Sequence, residues 1–173
     1  MPSWQEQFDA LKMKMTGPGL PQADAAAQMS GLEFLQGIII GKLPYPPINA
    51  TLDFYLIEAE KGRAVFHGLP SMKHYNPIGS VHGGWHATLL DSCMAVAVHT
   101  LIEPGQAYTS LEIKVNFVRP LTDATGPVRA EGKIVASGRR TATAEGRLTD
   151  ESGRLYSHGS TTCLIFDQAA QSR

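Results

Sequence analysis

Apolar positions open the chain on a helical rhythm. Trp4, Phe8, Leu11 and Met15 recur three or four residues apart, which predicts one stripe on a short helix. The segment TGPGLPQ breaks it. A second helix is predicted from near Ser30, because Ser30-x-x-Glu33 has the spacing of a capping box. It carries Leu32, Phe34, Leu35 and Ile38 to Ile40, and it stops before Pro44, Pro46 and Pro47. From Asn49 the rhythm shortens, and NATLDFYLIEAEKGRAVFHGLP reads as two strands about a turn at Lys61-Gly62. A long helix is expected from about His82 to Ile102, ending before Pro104-Gly105. Strands return in AYTSLEIKVNFVRP, where Leu111, Ile113, Val115 and Phe117 alternate with Glu112, Lys114 and Asn116. GPVRAEGKIVASG, RRTATAEGRLTD and, after the turn DESG, RLYSHGSTTCLIFD complete the set. The tail QAAQSR is expected to fray.

The predicted order is α-α-ββ-α-ββββ. No helical crossover separates the strands, so the sheet is expected to be antiparallel. The central helix is apolar nearly all round: Ala87, Leu89, Leu90, Cys93, Met94 and Ala95 to Val98 leave it almost no polar face. Such a helix is buried on every side, and one sheet covers only part of it. The expected fold is therefore α+β, an antiparallel sheet wrapped around a central helix, with a second copy of the chain covering the remainder. Residues 1–43 read as a helical N-terminal extension and 44–173 as the main domain.

Composition narrows the class of function. A chain of 173 residues suits one domain with a sizeable core. A formal net charge of −1 gives no reason to expect a nucleic-acid or membrane partner. Hydrophobic residues at 43% and charged residues at 18% place the chain among globular proteins. Cys93 and Cys163 form no CxxC motif or disulfide framework, so a reducing, cytoplasmic setting is expected. No apolar run approaches a membrane span, and MPSWQEQFDALKMKM has no apolar core of a signal peptide.

The chemistry concentrates in NPIGSVHGGWHATLLDSC, residues 76–93. Asp91 stands in an apolar helix that contains no Lys or Arg between positions 82 and 102. An unpaired carboxylate there costs several kcal/mol, so Asp91 lies either on an incidental solvent stripe or in a pocket, where it could act as general base or nucleophile. Gly83-Gly84 opens the helix. Its first backbone N–H groups have no intrahelical partner, and they suit a developing oxyanion as well as a simple tight turn. Gly83 and Asp91 are eight residues apart, about 12 Å along a helix axis. Both cannot reach one carbonyl carbon from a single helix. A shared reaction centre requires a second, antiparallel copy of the helix, hence a dimer with two equivalent sites.

Other candidates are weaker. His82 and His86 are four apart, half of a zinc site, but Gly83 stands where a metalloprotease helix has glutamate and no third ligand follows. No metal is expected. Cys93 lies close to Asp91 in sequence but on a different helix face, as a packing residue would. His99 and His158 have no assigned role. P-loop, dinucleotide fingerprint and DNA-binding helix pair are all missing from the sequence.

Asn76, His82-Gly83-Gly84-x6-Asp91 and the later TSLEIKVNFVRP together resemble the hotdog-fold acyl-CoA thioesterases, in the branch of the phenylacetate-pathway thioesterases. The similarity covers roughly residues 49–166. The resemblance implies that Gly83 supplies the N–H that polarises the thioester carbonyl, helped by the Asn76 side chain. Asp91 of the partner subunit would activate water or attack directly, Ser110 would orient that water, and His82 would support the loop. It implies an acyl-CoA substrate bound near Gly84 and Trp85, CoA phosphates met by Arg139 or Arg140, no separate cofactor, and a homodimer that pairs into a tetramer. A hydratase or dehydratase of acyl thioesters and a non-catalytic acyl-CoA-binding protein are the alternatives.

Overall fold

The computed structural model describes residues 2–168. The tail expected to fray lies beyond them, apart from Gln168. Helix α1 (Trp4–Lys14) begins at a capping box, Ser3 with Glu6, and buries Phe8. Helix α2 (Ala23–Ala27) is a single short turn. Helix α3 (Gly31–Ile39) starts where the sequence predicts, with Ser30 and Glu33 closing the capping box, and buries Leu35 and Ile38. Helix α4 (Pro47–Leu52) corrects the expected strand start at Asn49. Pro47 stands at the head of α4, where proline's fixed φ suits a helix, and Asp53 ends it in a left-handed conformation, φ 48°. The observed order therefore has four helices before the sheet where two were expected.

Six strands follow: β1 (Phe54–Glu60), β2 (Arg63–Gly68), β3 (Gln106–Phe117), β4 (Val128–Ser137), β5 (Thr141–Asp150) and β6 (Leu155–Asp167). They form one antiparallel sheet in the order β1-β2-β4-β5-β6-β3. Between β2 and β3 runs α5 (Gly83–His99), which packs against all six strands. The sheet wraps α5 as predicted. Its inner face carries Leu56, Phe66, Ala130, Ala144 and Cys163, all buried against the helix. Approach is close at Gly132, where an added Cβ would lie 2.2 Å from the Cys93 carbonyl oxygen. Leu89, Leu90, Cys93, Met94, Ala97 and Val98 have no exposed surface. A narrow stripe of α5 stays half-buried: Ala87, Thr88, Asp91, Ser92, Val96 and His99.

The segment before β1 divides between the two faces of the sheet. Helix α1 lies on the outer face, where Phe8 meets Tyr55 and His67 and Trp4 meets His67. Arg129 sits 4.3 Å from the centre of the Trp4 ring. Helix α3 lies on the inner face, with Phe34 stacked on His99 at 5.3 Å. The N–H of Gly31 donates to the Ile102 carbonyl at 2.8 Å, so α3 is docked on the end of α5.

The expected alternation in β3 fails at one point. A bulge between Ser110 and Glu112 inserts an extra residue opposite β6. Strict alternation would put Ser110 on the outer face with Glu112 and Lys114. The bulge turns Ser110 inward, in line with Cys163, and leaves Leu111 exposed rather than grouped with Val115. Strand β3 is an edge strand, and Leu111, Ile113 and Phe117 are all exposed along it.

Candidate active site

The helix terminus explains its own glycines. His82 is the N-cap of α5, and its Nδ1 accepts the Gly84 N–H at 2.8 Å. A Cβ on Gly84 would lie 2.9 Å from that nitrogen, so a side chain there would displace the capping ring. The Gly83 N–H, by contrast, makes no hydrogen bond among the described residues. Gly83 lies on the floor of a 260 Å³ cavity with Val81, His86, Phe117 and Arg119. A Cβ on Gly83 would come within 3.1 Å of the Phe117 ring.

Asn76 organises the loop that leads in. Its Oδ1 accepts the N–H groups of Ile78 and Ser80, and its Nδ2 donates to the Ser80 hydroxyl. The loop is closed by a bridge between Tyr75 and Val81. One amide hydrogen of Asn76 remains for a ligand.

Asp91 belongs to a different cavity. Its Oδ1 accepts the Ser110 hydroxyl at 3.1 Å, which brings together the helix carboxylate and the residue re-aimed by the β3 bulge. Both line a cavity of about 460 Å³ that is mainly apolar. Its walls come from α3, the α4 segment and the half-buried stripe of α5. This is a pocket carboxylate held by a hydroxyl rather than one on a bare solvent stripe. The Asp91 and Gly83 cavities share no lining residue.

Trp85 lines neither cavity. It is 3% exposed, stacks on His74, and donates its indole N–H to the Leu52 carbonyl at 2.8 Å, tying α4 to α5. Arg139 and Arg140 are exposed in the β4–β5 turn, and the Arg140 carbonyl accepts the Ile165 N–H. His86 is buried, with Nδ1 3.2 Å from the Ser157 hydroxyl, and burial pushes its pKa down to about 4. His82 and His86 therefore serve separate structures. No group of three or more His, Cys, Asp or Glu residues gathers among the described residues to hold a metal. Cys93 is wholly buried, and burial raises its thiol pKa, which keeps it un-ionised. No described helix is long and apolar enough to cross a membrane.

No local pattern in the sequence singles out, one by one, the residues that build the Asp91 cavity. Phe34, Tyr45, Ile48, His99 and Tyr108 meet there from four separate parts of the chain. The helical period of α3 signalled a buried face but not what that face would enclose.

The site thus consists of a sheet curled around one buried helix, an unbonded N–H at the helix start and a carboxylate about two turns further on. The description "Thioesterase superfamily" matches residues 78–157. The chain is 31% identical over 108 residues to the proofreading thioesterase EntH of Klebsiella pneumoniae, spanning 62% of this chain and 72% of that one. It is 28% identical to a 1,4-dihydroxy-2-naphthoyl-CoA hydrolase of Listeria monocytogenes, over 62% and 86% of the two chains. A mutant of the phenylacetic acid degradation protein PaaI from Thermus thermophilus superposes with a TM-score of 0.62 and 29% identity, covering 68% of this chain and 97% of that chain. The chain belongs to the thioesterase superfamily.

Proposed function

We propose that this protein is an acyl-CoA thioesterase whose reaction centre is shared between two copies of the chain. The observation that carries the reading is the Ser110–Asp91 hydrogen bond at 3.1 Å, set in an apolar cavity apart from the unbonded Gly83 N–H. The acyl group occupies the Asp91 cavity of one subunit. The thioester oxygen meets the Gly83 N–H of the other, supported by the free amide hydrogen of Asn76. Ser110 occupies Oδ1 of Asp91 and leaves Oδ2 to take a proton from water. The resulting hydroxide adds to the carbonyl carbon, and the oxyanion forms on the Gly83 N–H. Collapse breaks the C–S bond, and the CoA thiolate leaves with the proton from Asp91.

Pairing of β3 edges would bury Leu111, Ile113 and Phe117 and set the two α5 helices antiparallel. The relative named as a CoA hydrolase supports CoA as the leaving group. Arg139 and Arg140 are the candidates to meet its phosphates. No cofactor enters this scheme, and the free cysteines Cys93 and Cys163 suit a reducing, cytoplasmic compartment. Pairing of dimers into a tetramer follows from the resemblance and is read by light scattering.

The test is Asp91→Asn, which keeps the shape of the side chain and removes its basicity. CoA release should fall by at least about a hundredfold, with the melting temperature unchanged. Full activity in that variant would sink the mechanism.

A further inference from the structure

The Gly83 cavity holds a second group able to donate a hydrogen bond. His86 is three residues beyond Gly83, so the two share one face of α5. Side chains on a helix lean back toward its N-terminus, which tilts the His86 ring over the first turn, toward Gly83. Both residues line the same 260 Å³ cavity, together with Phe117 and Arg119. The ring is held on several sides. Its Nδ1 lies 3.2 Å from the Ser157 hydroxyl of β6, and the rings of Phe117 and Trp85 stand nearly perpendicular to it at 5.7 and 6.3 Å. Its Nε2 is different. Among the described residues no hydrogen bond reaches that atom, yet it is not one of the sealed, unpartnered ring nitrogens, which belong to His67 and His74. Nε2 therefore keeps an opening, and the Gly83 cavity is the opening that His86 lines.

Ser157 decides which ring nitrogen carries the proton. It has no exposed surface, and Nδ1 of His86 is the one partner of its hydroxyl among the described residues. A buried hydroxyl hydrogen without an acceptor is costly, so Ser157 donates and Nδ1 accepts. Burial pushes the His86 pKa down to about 4, so at neutral pH the ring is uncharged and carries one hydrogen. With Nδ1 accepting, that hydrogen is on Nε2, at the cavity. A neutral imidazole keeps its proton, which suits a hydrogen-bond donor to developing charge and not a general acid.

We propose that His86 is a further catalytic residue: its Nε2–H donates to the thioester oxygen beside the Gly83 N–H, and Ser157 is the positioning residue that fixes the tautomer. This rests on the thioesterase reading and adds a donor to its oxyanion site. One rigid helix presents both donors. No proton moves to or from the ring. As hydroxide adds to the carbonyl carbon, the C=O π pair moves onto oxygen and both hydrogen bonds strengthen. The pair returns as the C–S bond breaks.

The experiment follows thiol release from acetyl-CoA, benzoyl-CoA and octanoyl-CoA in the wild type, His86→Phe and His86→Gln. Phenylalanine keeps a flat ring between Trp85 and Phe117 and removes the donor. Glutamine places an amide N–H near the position of Nε2. On the thioester that the wild type cleaves fastest, kcat should fall by about a hundredfold in His86→Phe with KM changed less than about twofold, and His86→Gln should regain about tenfold. A merely structural role would instead lower the melting temperature and raise KM in both variants. Unchanged kcat in His86→Phe, or His86→Gln no better than His86→Phe, overturns the proposal. A second measurement needs no variant. Two-bond proton–nitrogen NMR of the wild type reads the His86 tautomer, before and after addition of S-acetonyl-CoA, a ketone that water does not cleave. The proton should sit on Nε2 and move downfield with the ketone present. A proton on Nδ1, or one that does not move, overturns the proposal. If none of the three thioesters releases CoA but the proton moves, the thioesterase reading falls and His86 stands as a carbonyl-binding donor. If neither occurs, both fall.

Discussion

Gly83→Pro would delete one atom pair from the proposed reaction centre. Gly83 is the first residue of α5, the position where proline is best tolerated in a helix. The residue before it, His82, already has φ −60° and ψ 136°, the extended conformation that a following proline demands. The substitution thus removes the Gly83 N–H while the backbone keeps its path. The new Cβ would lie 3.1 Å from the Phe117 ring, and that side chain is 58% exposed and free to yield. The N–H has no partner to lose among the described residues, so stability should change little, within about 1 kcal/mol. Loss of one oxyanion donor should lower kcat by about a hundredfold to a thousandfold. The assay is release of CoA thiol, with thermal melting as the control for folding. Mixing with Asp91→Asn then tests the geometry. Equal parts, reassorted at random, make about half the dimers mixed; each has one intact site, so activity returns to about one quarter of wild type. A Gly83→Pro protein with wild-type kcat refutes the role of the N–H. No recovery after proven subunit exchange refutes the shared centre.

Ser110→Ala should reduce kcat/KM by about tenfold or more, since a hydrogen bond to a charged group is worth about 1.5–3 kcal/mol, and steady-state thiol release reads it. Gly31→Ala would place a Cβ 1.8 Å from the His99 carbonyl oxygen. It should push α3 off α5, costing about 3 kcal/mol or more in urea unfolding and raising KM as the cavity wall moves. Burial pushes the pKa values of both His67 and His86 down to about 4. Between about pH 4 and 6.5 the unfolded chain binds protons that these rings refuse, so stability is full above about 6.5 and is lost as pH falls toward 4. The loss is up to about 1.4 kcal/mol per pH unit for each ring, and His67→Phe should remove its share of the slope in melts taken across that range.

What could be read from the sequence was local. The α5 helix, the capping box at Ser30, the Lys61-Gly62 turn and all six strands follow from period, caps and turn chemistry within a few neighbouring residues. Burial of α5 was legible because its apolar surface closes on itself. The β3 bulge was not, since its alternation of apolar and polar residues continues smoothly through Leu111. Only pairing with β6 reveals that Ser110 and Ile113 share a face. Helix α4 is hidden in the sequence because the Asn49-to-Leu52 stretch runs straight on into β1, and Pro47 reads as a terminator rather than a beginning. Gly84 was read with Gly83 as one feature, whereas His82 divides them: one N–H is taken by the cap and one is left over.

The N-terminal segment that lines the cavity also decides how many times the sheet can join another. Helix α1 lies on the outer face and α3 on the inner, so the chain crosses at the β1 edge. There the Pro18–Tyr45 bridge, the contact of Tyr45 with Tyr55 and α4 lie against that strand. One end of the sheet is thereby flanked by the N-terminal segment, and the other, β3, is open. A unit with a single open edge pairs edge to edge only once. Under the proposed pairing, edge-to-edge assembly stops at two chains by construction, and a tetramer of such dimers has to use another surface. Stripping away the residues before β1 would convert a unit that joins once into one that joins twice, which is the requirement for an open-ended fibre.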